Sequence, residues 1–344
     1  MNNNHHNHRS NAERFWMVLG VLVAMLGAIY VLRPLGFIAF MIFAGILAGI
    51  LLDGIVELIR KHIHFPRVLA LLLTVVAFLI LAALGSWLIG PNIIDQALQL
   101  LDRVPEAAKR TKSILLNYNW GDEIWQNLTR TNFPAGEVVD RLTLAFSSTL
   151  GVIGNMLVIF FIGFYLALKP SVYINGFLKL IPPGKRERIR TVFSHTGSSL
   201  RAWLLARLIS MIVVGILSLI GYLILDIQLA LALAVIAGLL SFIPYLGPVL
   251  ALIPALIVTV AEEPIKALYV LIVYSIVQVL ESYLITPLVE QHATSVPAAF
   301  LITVQIVMAV VGGLMGILIA TPLAVAGIVA IRMLYVEDVL HDSA

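Results

Sequence analysis

Apolar residues in this chain are gathered into blocks long enough to cross a lipid bilayer. The segment "VLALLLTVVAFLILAALGSWLIG", Val68 to Gly90, contains no charged residue, and about twenty such residues in a helix span the roughly 30 Å of hydrocarbon. Comparable blocks cover Phe15–Leu32, Leu35–Leu52, Leu142–Leu168, Ala206–Leu225 and Ala267–Ile285, and longer ones run over Gln228–Val260 and Ala298–Ile331. Hydrophobic residues make up 60% of the 344 and charged residues only 12%, against roughly 45–50% and about 25% in soluble domains. The chain reads as an all-α, polytopic integral membrane protein of about eight hydrophobic helical units, two of them over-long and interrupted.

Charge sets the expected orientation. Lysine and arginine collect in cytoplasmic loops. Arg60, Lys61 and Arg67 lie in one loop, and Lys169, Lys179, Lys185, Arg186, Arg188 and Arg190, against the single acid Glu187, lie in another. The net charge of +3 therefore marks topology, not nucleic-acid binding. The domain order is a disordered cytoplasmic tail (1–14), three spans (15–90), an extracytoplasmic segment (91–141), a fourth span (142–168), a basic cytoplasmic loop (169–205), a core with interrupted helices (206–331) and a cytoplasmic tail (332–344). The extracytoplasmic segment spaces Ile94, Leu98, Leu101, Ala108, Ile114 and Leu115 as an amphipathic helix would. Such a face rests on the membrane surface, on the chain's own spans or on a neighbouring subunit, and a homo-oligomer is expected.

The stretch "SFIPYLGPVLALIP", Ser241 to Pro254, breaks this pattern with three prolines and a glycine. An interior proline removes a helical hydrogen bond and clashes with the preceding turn, at about 3 kcal/mol or more. The spacing predicts a helix that stops near Phe242 and restarts around Val249, with Pro248 in the new first turn, where its missing amide hydrogen costs nothing. Gly312, Gly313, Gly316 and Pro322 interrupt the last apolar stretch in the same way. Non-helical backbone at membrane depth must be buried in protein or line a wet cavity. A pair of interrupted spans is also the pattern of a transporter's binding site. Whether 241–254 re-enters from one face or completes a kinked crossing is left open by the residues.

Polar residues inside spans are costly and so tend to be functional. Glu281 stands out in "YSIVQVLESYLITP", with Gln278 one turn before it and Ser282 beside it, and Arg207 is a candidate partner. Tyr165, Tyr222 and Tyr335 fit an interfacial aromatic belt. His5, His6 and His8 sit in an asparagine-rich tail and predict no metal site. There is no cysteine, no His-Glu-x-x-His helix, no phosphate-cradling glycine loop and no nucleophile elbow. No enzyme activity, cofactor or metal is expected.

The residues resemble the autoinducer-2 exporter family of bacterial inner-membrane permeases. The likeness is carried by "RKHIHFPRVLALLL", by Pro91 and Pro105 in "GPNIIDQALQLLDRVP", and by Gly238, Ile243, Pro244, Tyr245, Gly247, Pro248 and Pro254 in "AGLLSFIPYLGPVLALIPA". It continues at Gln278, Glu281, Pro287 and Pro297, then at Gly313, Gly316, Ala320 and Pro322. The chain departs at Trp203, Ala206 and Arg207, where the family commonly has Tyr-x-x-Gly-Gln, and at Ser282. The resemblance implies an inner-membrane permease with both termini cytoplasmic, exporting a small polar or signalling molecule, or else exchanging sodium or lithium for protons. The expected path lies where "FIPYLGP", the Gln278–Glu281 helix and the "GGLMG" helix converge. Tyr245 and Gln278 would contact cargo, Gly247 would admit it closely, and Glu281 would carry the coupling proton. A membrane scaffold without transport is the competing class. It predicts that Glu281→Gln is silent while disruption of Leu98 and Leu101 is not.

Overall fold

The computed structural model describes residues 35–63, 65–88, 149–285 and 296–341, with isolated positions between 90 and 116. The expected first span, the histidine tail and the amphipathic positions Ile94, Leu98, Leu101, Ala108, Ile114 and Leu115 lie outside the described residues. Every regular element among those described is helical. The helices are α1 (Leu35–His62), α2 (Arg67–Leu88), α3 (Thr149–Leu168), α4 (Pro170–Leu178) and α5 (Arg186–Ile224). They continue with α6 (Ala230–Leu240), α7 (Leu246–Glu262), α8 (Pro264–Leu280) and α9 (Ala298–Ile331). By length and apolarity five helical stretches could cross a membrane, or six if α3 and α4, bent by 86° at Pro170, count as one. The count of eight is not reproduced among the described residues.

Two boundaries differ from the sequence reading for physical reasons. Residues 169–205, expected as a loop, are largely helical, because charge and polarity alone do not end a helix. The last proline before α5 is Pro183, and nothing after it breaks the run to Ile224. The second difference is larger. Ala298–Ile331 is not one straight helix, because Gly313 has φ 58° and ψ −138°, a conformation open essentially to glycine alone. Gln305 Nε2 lies 3.3 Å from Thr321 Oγ1, yet sixteen residues of straight helix would separate them by about 24 Å. The element folds back on itself as a helical hairpin.

The chain from α6 to α7 is a second hairpin. Its arms bury Ala230, Ala234 and Ala237 against Ala251, Ala255 and Val258, pairs that are symmetric about the turn at Pro244. The 11 residues of α6 reach about 16 Å, too short to cross the hydrocarbon. The segment re-enters.

The hairpins enter from opposite faces. α5 begins where Arg188 bonds Glu337, Asp338 and the Met333 carbonyl beyond the end of α9. Those bonds raise the guanidinium above its ordinary value. The same face carries the two basic loops and opens onto the ends of the α9 hairpin, whose tip lies against Phe40 in the first half of α1. α5 ends at the far face, where the turn into α6 begins and Lys266 Nζ reaches the Asp226 carbonyl at 3.3 Å. The α6–α7 hairpin opens there and points inward. Gln96 closes its base by accepting from the Ala232 N–H at 2.9 Å, so the start of the 91–141 segment rests on this protein's own helices.

At the basic face Asp53 of α1 joins Arg67 of α2 and, at 2.7 Å, Arg201 of α5, while Arg201 also pairs with Glu57. Arg67 further donates to the Ala167 carbonyl at the end of α3, at 3.0 Å. One carboxylate thus ties α1 and α2 to α5. Asp53→Asn is expected to cost about 1.5–3 kcal/mol, the range for hydrogen bonds to charged groups, read as a lowered melting temperature in detergent.

Candidate functional site

Prolines assemble the meeting point of the two hairpins. In a continuous helix the Pro244 carbonyl would accept from the amide four residues on, but that residue is Pro248, which has none. The carbonyl accepts instead from the Leu246 N–H at 2.7 Å across Tyr245. Tyr245 has φ 63° and ψ −55°, the rare and strained form of γ-turn. A bulky residue held there costs on the order of 1–3 kcal/mol, and such strain clusters at functional sites. Pro244 itself is buried, whereas Tyr245 is 47% exposed at the tip.

A second bond to the same carbonyl links the hairpins. Gln305, in the first arm of α9 and 0% exposed, donates Nε2 to Pro244 O at 3.0 Å while also meeting Thr321 in the second arm. Its Oε1 is buried with no hydrogen-bond partner among the described residues. Pro322 next to it denies the Leu318 carbonyl its helical donor. Oxygen-bearing groups from both hairpins therefore converge in a place without charge.

The charged pair stands beside this junction. Arg207 Nη1 lies 3.4 Å from Glu281 Oε1, the two residues being 8% and 9% exposed. The Ser282 hydroxyl is 3.4 Å from the other carboxylate oxygen. Glu281 opens a π-helical turn that follows α8, Glu281–Ile285, an irregularity frequent at functional sites. One turn before Arg207 on α5, Trp203 packs edge-on against Phe242 in the α6–α7 tip, ring centroids 5.5 Å apart. Val325, one turn beyond Thr321, joins the same cluster. The face of α5 that holds Glu281 thus also holds the hairpin tip.

The remaining predicted residues are placed as follows. Gln278 and Tyr274 precede Glu281 on the inward stripe of α8, and Tyr274 donates to the Pro248 carbonyl at 3.0 Å. Gln278 Nε2 is buried and faces the Tyr274 hydroxyl. At Gly247 the space left by the absent side chain is filled by the Leu240 carbonyl, which closes the hairpin neck. Gly312, Gly313 and Gly316 do not reach the junction. They form the tip of the α9 hairpin, eight residues or about 12 Å of helix beyond Gln305, with Gly312 against Phe40. The sequence reading treated them as part of the meeting point because it saw an interruption and not a reversal. Tyr222 is not a belt residue, since it is 0% exposed in the core between α5 and α8. An open depression of about 440 Å³ along Leu271, Ser275, Ile276 and Val279 lies on the exposed, outward side of α8, away from these groups. Gln305 was missed, although a lone glutamine in "AAFLITVQIVMAVVGG" carries the same signal that singled out Gln278.

Opposed re-entrant hairpins meeting over a buried ion pair define a multi-pass membrane protein of the transporter class. The AI-2E family transporter model matches residues 19–335, and the chain belongs to that family. It is similar to "Putative transport protein YueF" of Bacillus subtilis, 29% identical over 337 residues that cover 90% of this chain and 89% of the relative. It is also similar to YrrI of the same organism, which bears the same description, at 21% identity over 89% of this chain and 92% of that one.

Proposed function

We propose that the protein is a permease of the bacterial inner membrane that exports a small polar organic or signalling molecule of the autoinducer-2 type, coupled to protons. The observation that carries this reading is the hairpin junction. Broken main chain at depth holds Gln305, whose Oε1 has no partner among the described residues, and Thr321 where a solute beside the Arg207–Glu281 pair would bind them. Cargo hydroxyls would bind the Glu281 carboxylate from the cytoplasmic side. A proton arriving from the far side would neutralise Glu281, release Arg207 and displace the cargo outward, then leave to the cytoplasm as the hairpins return, so that one proton enters for each solute exported. Tyr245 and Gln278 would add hydrogen bonds to the cargo. The basic face, which the C-terminal end shares, is assigned to the cytoplasm by the positive-inside rule, and a homo-oligomer in lipid is part of the proposal.

Sodium or lithium exchange for protons is the second reading. It is favoured by the uncharged, oxygen-rich junction, which suits a monovalent cation. Flux into proteoliposomes containing only this protein separates the two. Export predicts solute movement that a proton gradient accelerates and that Glu281→Gln reduces at least about tenfold, equivalent to some 1.4 kcal/mol of lost coupling. Cation-for-proton exchange without solute flux selects the antiporter, and gradient-independent flux unaffected by Glu281→Gln overturns both.

A further inference from the structure

α5 and α8 run antiparallel and approach closely where Gly221 meets Val273. Along their shared seam lie, one helical turn apart, Tyr274 and Gln278 on α8 with Glu281 just beyond its end, and Arg207, Ser210, Val214, Ser218 and Tyr222 on α5. All are buried except the half-buried Gln278. The polar groups thus continue from the ion pair toward the far face, where the Tyr222 carbonyl caps the turn leading out of α5.

Two of these groups lack partners. Ser218 Oγ and Tyr222 Oη are buried with no hydrogen-bond partner among the described residues, and both residues are 0% exposed. The serine is telling. Hydroxyls elsewhere in these helices bond back to the carbonyl four residues earlier, as Thr74, Thr259, Ser275 and Thr303 do. The Ser218 hydroxyl makes no such bond. Each unsatisfied buried group costs about 1–3 kcal/mol, and native structures meet that cost with bound water. Gln278 and Tyr274 meet directly, whereas Ser218 and Tyr222, one turn or about 5 Å of helix apart, are within reach of a single bridging water.

We infer that the α5–α8 seam is a hydrated proton path joining Glu281 to the far, extracytoplasmic face through Gln278, Tyr274, Ser218 and Tyr222. It rests on the reading of Glu281 as the coupling carboxylate. A proton entering beside Tyr222 passes along hydroxyls and waters, each oxygen accepting one proton and giving up another, and ends on a Glu281 oxygen, whose bond to Arg207 is released. Nothing is oxidised or reduced. The groups facing Glu281 are Arg207 of α5, Ser282 at its own turn and Tyr274 on α8. α6, α9 and α7 as far as Ala261 contribute no acid, base or histidine, and Asp226 with Lys266 stands at the entrance.

Radiolytic labelling with isotopic water tests the path on the purified full chain, without cargo. Tyr222 is expected to be labelled about as fast as Tyr165, which is 54% exposed, while Trp203, 3% exposed in the apolar cluster, stays silent. Tyr222 as silent as Trp203 overturns the inference. Ser218→Ala combined with Tyr222→Phe should leave the melting temperature nearly unchanged, because no protein group among the described residues loses a hydrogen-bond partner. It should slow protonation of Glu281 after an acid jump, followed as the rise of its carboxyl band by infrared difference, about tenfold, or 1.4 kcal/mol. An unchanged protonation rate overturns the inference. Failure of the parent reading looks different, because proton-driven flux surviving Glu281→Gln would leave the Tyr222 labelling intact.

Discussion

Arg207→Met in an otherwise intact chain is expected to cost about 3–5 kcal/mol, because it strips a carboxylate that is 9% exposed of its cation. The pair itself contributes far less than that number. Burying two charges is expensive, and their attraction only roughly returns the desolvation cost. Arg207→Met together with Glu281→Gln should therefore recover most of the lost stability, since no charge remains to be buried. The melting temperatures of the wild type, both single variants and the double variant form a complete cycle, with a coupling of several kcal/mol expected between the sites. Transport should not follow stability. If Glu281 carries a proton and Arg207 answers it, the double variant is stable but inactive in gradient-driven flux. A double variant that regains both would reduce the pair to a packing device.

The sequence carried the class and much of the site, and the reason lies in the solvent. Lipid offers no hydrogen bonds, so each span must be an unbroken apolar helix and each interruption must have a cause. This is why the break at Pro244 could be placed within two residues of the observed end of α6 at Leu240 and within three of the restart at Leu246. Arg207 and Glu281 were legible singly because charges are rare at depth. Their contact was not, since it depends on how α5 packs against α8. The reversal at Gly313 was hidden for a related reason. A kinked crossing and a hairpin use the same glycines and prolines, and only contacts such as Gln305 with Thr321 distinguish them. The basic stretch 186–205 was read as loop because it is polar, although polar residues extend a helix beyond the membrane as readily as apolar ones continue it within.

Both hairpins depend on a glycine that packs against a carbonyl across its own turn, and the effect of adding one methyl group there should be severe. A Cβ at Gly247 would overlap the Leu240 carbonyl, and one at Gly316 would overlap that of Met308. Neither obstacle is a side chain that can rotate away. The arms themselves must separate, which breaks the alanine contacts of the first hairpin and the Gln305–Thr321 bond of the second. Overpacking in a core costs roughly 1–3 kcal/mol where side chains can adjust, and two rigid backbones place Gly247→Ala and Gly316→Ala at or above that upper figure. The same exchange at Gly197, in α5 with nothing within 4 Å, should instead stabilise by about 0.5–1 kcal/mol, the usual gain when alanine replaces glycine inside a helix. Thermal melts followed by fluorescence-detected size exclusion would show the three variants moving in opposite directions. If Gly247→Ala and Gly316→Ala melt with the wild type, the chain does not turn back at these points, and the junction at Pro244 loses its basis.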